Sequence, residues 1–154
     1  NNNSDDGINS MMPFTTVENP TTTSTGPKVG SILRLSDVPV RKTSHTDQSG
    51  QPIIKQQFIE AFAVPNFVGV SMATFKPGQV LMPPHQHDSL HEFFYVVEGK
   101  GRFHHNGQEH ELSPGTFMHT APLEPHGFWV PSEHEEDLKM LVCGVTVGEK
   151  KDAN

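Results

Sequence analysis

Residues 78–99 read GQVLMPPHQHDSLHEFFYVVEG, and the placement of three side chains within them decides the fold. His85 and His87 are separated by one residue, so on a β-strand they share a face, because side chains alternate with period two. Glu92 comes after a polar break at Asp88 and Ser89, and the next strand can return its carboxylate to that face. The run from Phe93 to Val97 is aromatic and β-branched, as a buried strand should be, and Gly99 closes it. Two imidazoles and one carboxylate converging on a point make a first-row metal site that still lacks a ligand.

The fourth ligand lies downstream. Pro114 and Gly115 open a turn, residues 116–120 read as a strand, and residues 121–125 form a corner punctuated by Pro122 and Pro125. His126 follows directly, and a proline before it restricts the chain and helps aim the imidazole. His85, His87, Glu92 and His126 then offer three nitrogens and one oxygen.

These two stretches resemble the paired motifs of the cupin superfamily. The first motif is matched by Gly78, His85, His87, Glu92 and Gly99, with the first spacer one residue longer than usual. The second is matched by Pro114, Gly115, Pro122, Pro125 and His126, and Leu123 stands where a glycine is usual, so the corner is expected to be shaped differently. The resemblance spans residues 66–147. It implies a small single-domain protein with a jelly-roll β-barrel, one metal ion on the four ligands, and subunits that pair as homodimers.

Four protein ligands on a six-coordinate metal leave about two positions for substrate, water or oxygen, an arrangement that serves chemistry rather than structure. Imidazole suits Fe, Mn, Ni, Co, Cu or Zn better than Mg or Ca, and nothing in the residues chooses among the first group. The resulting expectation is a metal-dependent dioxygenase-type oxidoreductase acting on a small oxygenated or aromatic substrate. The alternatives are a metal-assisted isomerase, epimerase or lyase on a sugar or small acid, and a non-catalytic barrel that binds a small ligand. His119, on the strand leading to the corner, and His105, which shares strand parity with Phe103, are candidate catalytic proton carriers. His91 should face away from the metal, while His104 and His110 belong on an exposed hairpin face. Alternation predicts that about half of Phe93, Phe94, Tyr95, Phe103, Phe117, Phe128 and Trp129 line the cup.

Eleven Lys and Arg against eighteen Asp and Glu give a formal charge of −7, which argues against nucleic acid or an anionic membrane as partner. No apolar run approaches the ~18 residues of a membrane span. Cys143, alone of its type, sits in an apolar run as a buried strand residue and leaves the redox compartment undecided. The chain starts at Asn1 with no leader of its own, so its cellular address is not readable.

Along the chain, residues 1–27 have the composition of a flexible arm, expected to pack on a partner subunit. Residues 28–148 are expected to form the single barrel domain, and residues 149–154 a polar tail. Strands are expected at 29–35, 53–64, 67–75, 93–97, 101–105, 108–112, 116–120, 128–130 and 138–147, with a polar loop at 41–52. Asn106-Gly107 between two of these is a strong hairpin signal. Short strands punctuated by Gly and Pro describe an all-β sandwich or barrel.

Overall fold

The computed structural model describes residues 32–148. The arm at 1–27 and the tail at 149–154 therefore lie outside the described residues. Among the described residues a 3-10 turn, Leu35–Asp37, leads into ten strands: β1 (Val40–Thr46), β2 (Pro52–Ile59), β3 (Phe67–Phe75), β4 (Val80–His85), β5 (Leu90–Glu98), β6 (Gly101–His105), β7 (Gln108–Leu112), β8 (Phe117–Thr120), β9 (His126–Trp129) and β10 (Leu138–Thr146). They form a six-stranded sheet, ordered β1-β2-β3-β10-β5-β8, and a four-stranded sheet, ordered β4-β9-β6-β7. Every pairing is antiparallel. From β3 onward the chain passes back and forth between the sheets, which is the jelly-roll form of a β-barrel. No helix among the described residues is long and apolar enough to cross a membrane.

Three strand expectations need correction, the first being the strand expected at 53–64, which ends at Ile59 and gives way to a turn. The segment expected to be a polar loop contains β1, whose sequence VRKTSHT carries no apolar alternation. An edge strand with little of its surface in the core shows no hydrophobic period, and the loop reading followed from that. Residues 32–34, expected to be strand, are not, and they run instead into the 3-10 turn. Gln56, on the outward face of β2, donates to the carbonyls of Leu35 and Val38, both at 2.8 Å, and holds that turn in place.

The remaining elements follow local chemistry. Pro83 and Pro84 are tolerated in β4 because it lies at a sheet edge, where a missing N–H leaves no ladder bond unmade. Asn106 and Gly107 both take positive φ, 48° and 82°, as the two-residue turn between β6 and β7 requires. At Gly99, φ is 78° and a Cβ would run into the carbonyl of Asp137, so only glycine fits where β5 ends.

The core lies between the sheets. Phe94 from the six-stranded sheet meets Phe128 of the facing sheet with ring centroids 4.9 Å apart, and Phe128 stacks on Phe103 at 4.8 Å. Leu138, Met140, Val142, Val96 and Ile53 close around them, all buried. Phe93, Tyr95 and Phe117 take the outer face, dividing the aromatics as alternation predicts. Cys143, expected to be buried, is half-buried on the outer face of β10, and its partial burial pushes the thiol pKa up.

Lys55 departs from the pattern: it is 1% exposed on the inward face of β2, between Ile53 and Gln57. Burial pushes its ammonium down, Glu60 pulls it back up and Arg41 opposes it, leaving a pKa of about 8 against an ordinary 10.5. The unfolded chain then holds this proton more tightly, so stability rises with pH between about 8 and 10.5 and the cost is complete below 8. Lys55→Met, which keeps the linear shape, is expected to stabilise the fold at pH 7 by on the order of 2–3 kcal/mol. Thermal denaturation should show a gain that shrinks as pH climbs through that window. A lower melting temperature at pH 7 would mean that the partners of the ammonium outweigh its burial.

Candidate metal centre

Three strands and the segment after β4 deliver the four expected ligands. His85 ends β4, and His126 opens β9 directly opposite it in the ladder. Glu92 points inward from β5 in the facing sheet, where alternation buries Leu90, Glu92, Phe94 and Val96. His87 lies just past the end of β4 rather than on it, so the two histidines reach the site from a strand end and from the bend behind it. One ligand atom from each of the four falls within 4.8 Å of all the others. His87, Glu92 and His126 are buried and His85 is partly so.

The hydrogen bonding around this cluster is short of one positive charge. His126 Nδ1 lies 3.0 Å from the carbonyl oxygen of Glu124, which can only accept, so that nitrogen carries the proton. In the neutral ring Nε2 is then a bare lone pair, and it faces Glu92 Oε2, another acceptor, at 2.9 Å. His87 Nε2 is 2.8 Å from the same oxygen but off hydrogen-bond geometry, and no other described group satisfies it. Lone pairs collected at such distances call for a cation among them, either a proton or a metal ion.

The electrostatics suit ligation. Burial would raise the Glu92 carboxyl, but the imidazoles of His126 and His87 outweigh it and hold the pKa down at about 2. Burial, and then His126 and His87, push His85 down to about 3, leaving its ring neutral with a lone pair to give. Residues of both sheets extend the site into a cavity of about 30 Å3, room for about two water molecules. Its walls are apolar, among them Ile53, Phe75, Phe94, Phe128 and Met140.

His45 also lines this cavity, its ring centroid 5.7 Å from that of His85. It went unnoticed in the sequence because β1 read as a loop. Had β1 been recognised as an edge strand, the parity of Thr43, which is buried, would have turned His45 inward as well.

Neither candidate proton carrier reaches the cluster. Met118 and Thr120 take the inward positions of β8, so His119 is exposed outside, its Nε2 2.9 Å from Nδ1 of His91 and its ring stacked on Phe93 at 4.8 Å. His91 thus faces outward, as expected. His105 stacks on Phe103 but turns its Nε2 to Glu124 Oε2 at 2.9 Å. The two histidines expected on one exposed hairpin face lie on opposite faces: His110 is exposed opposite Phe103, and His104 is half-buried opposite Glu109.

Leu123 takes φ 67°, the left-handed conformation that a glycine would adopt freely. The Leu123 side chain is left 59% exposed. Glu124 accepts from the Ala121 N–H at 2.8 Å and from His105, which together draw its pKa down to about 2.

Taken together, the molecule is a double-sheet β-barrel with a three-histidine, one-glutamate cluster between its sheets. Residues 71–144 match the family model of the cupin domain, so the chain carries a domain of the cupin superfamily. It is 33% identical over 61 residues to quercetin 2,3-dioxygenase of Bacillus subtilis. That stretch is 40% of this chain and 18% of the enzyme, so less than a fifth of the relative is matched. A predicted oxalate decarboxylase from Thermotoga maritima superposes with a TM-score of 0.65 at 19% identity, over 76% of this chain and 100% of that one. The polyketide cyclase RemF from Streptomyces resistomycificus superposes with a TM-score of 0.59 at 22% identity, over 79% of this chain and 88% of that one. At those identities the two structures speak for the fold alone.

Proposed function

We propose that this protein is a metal-dependent enzyme of the dioxygenase type, holding one divalent transition metal on His85, His87, Glu92 and His126. The observation that carries the metal is the pair of imidazole nitrogens set against one carboxylate oxygen, with the His126 proton held on the far side of its ring. The local likeness to quercetin 2,3-dioxygenase supports the oxygenase class, and the apolar cavity wall suits an aromatic or otherwise uncharged oxygenated substrate. When bound, such a metal supplies Lewis acidity to substrate oxygens and a redox route to dioxygen.

The residues themselves set the conditions. Glu92 stays ionised and His85 stays neutral at ordinary pH, so these two donors change little with acidity. The Glu124 carbonyl fixes which nitrogen His126 presents. Phe75, Phe94, Phe128 and Met140 keep bulk water from the ligands. At about 30 Å3 the cavity takes no more than the oxygen-bearing edge of a substrate.

Protein purified without chelators or added metal should contain about one transition-metal ion per chain. It should consume oxygen with phenolic or enediol compounds, quercetin among the first to try. Turnover of a sugar or small acid under strictly anaerobic conditions would replace the oxygenase reading with an isomerase or lyase. Absence of any transition metal would remove the metal centre itself.

A further inference from the structure

We propose that Glu124 and His105 are positioning residues, which set the ligand His126 by locking the corner at 121–125; this rests on the metal reading above. The corner touches both downstream and upstream ligands through its backbone. The Leu123 N–H donates to the carbonyl of His87 at 2.7 Å, and the Glu124 carbonyl accepts from His126 Nδ1 at 3.0 Å. The corner therefore fixes the bend that carries one imidazole and the tautomer of another. Its own shape is not cheap, since Leu123 sits in the left-handed region that crowds its Cβ against the following carbonyl. Something must hold it there.

The Glu124 side chain is that restraint. A single carboxylate oxygen, Oε2, accepts from the Ala121 N–H at 2.8 Å, closing the corner on itself, and from His105 Nε2 at 2.9 Å, tying it to β6. His105 is in turn held flat against Phe103, with centroids 5.5 Å apart and planes 17° from parallel, and Phe103 is buried in the core. The Asn106 N–H adds a bond to the carbonyl of Pro125 at 3.0 Å. A line of contacts thus runs from the core through His105 and Glu124 to the ring of His126. His105 then serves the centre from behind the ligand and touches no substrate.

The test is titration of metal-free protein with Co2+, read by the visible absorption of the bound ion, which reports its coordination. Glu124→Ala is expected to bind Co2+ about 10–100-fold more weakly and with an altered spectrum, while the melting temperature of the metal-free protein changes little. Glu124→Gln, whose amide oxygen can accept both bonds, should recover affinity and spectrum, and His105→Ala should shift both in the direction of Glu124→Ala. If the wild type binds Co2+ and Glu124→Ala matches it in affinity and spectrum, the positioning role is wrong and the metal centre stands. If metal-free Glu124→Ala loses its cooperative melt, Glu124 is a folding residue and the positioning role is equally overturned. Failure of the wild type to bind Co2+ at all would remove the metal centre and this inference with it.

Discussion

His126→Ala is expected to lose its metal and keep its fold. The imidazole is 1% exposed and faces Glu92 Oε2 from directly opposite His85, so its removal takes one of three nitrogens from the centre. Alteration of groups that merely orient ligands costs 10–100-fold in affinity, so loss of a ligand should cost at least ~100-fold. The fold has other support: Phe94, Phe103, Leu138, Met140 and Val142 are buried without help from the histidine. Elemental analysis of variant and wild type purified side by side should show metal in the wild type and little in the variant, with superimposable circular dichroism. A variant with its full complement of metal would exclude His126 as a ligand.

Phe128→Ala should be the most damaging single change to stability. Its ring is 3% exposed and packs against Phe75, Phe94 and Phe103, with centroids 5.8, 4.9 and 4.8 Å away, bridging the two sheets. Truncation removes the transfer energy of the ring and leaves a void against a cavity that already exists, so the neighbours cannot fully collapse. The expected cost is about 3–5 kcal/mol, or a fall in melting temperature of roughly 10–20 °C. Phe128→Leu should lose much less, because most of the volume remains. A loss under about 1 kcal/mol in Phe128→Ala would mean that the sheets are held together elsewhere.

The clustering of the four candidate ligands was legible because each sits in a short motif whose spacing constrains direction. The hairpin at Asn106-Gly107 and strands β3, β6 and β7 were equally local and matched residue for residue. Errors fell where meaning depends on neighbours in space. Edge strand β1 has no apolar period to betray it, so His45 was missed with it. His119 looked inward only while the strand phase was unknown; burial of Met118 and Thr120 settles that phase. Parity placed His105 on the side of Phe103 correctly, yet parity does not say that a carboxylate from the corner will claim the ring before the cavity does. Nor could the sequence show that Leu123 would keep a glycine-like backbone, since that depends on the restraints around it.

Local order along the chain determined most of the strands and turns, edge strand β1 excepted, and which four side chains are suited to a transition metal. Alternation and turn chemistry act over a few residues, and so they can be read without the fold. Bringing those side chains together was decided by the tertiary structure alone. β4 and β9, more than forty residues apart at His85 and His126, become neighbours in one sheet, and β5 lays Glu92 across from them in the other. That meeting depends on burying the apolar faces of two sheets against each other, an energy that belongs to the whole barrel and to no single segment.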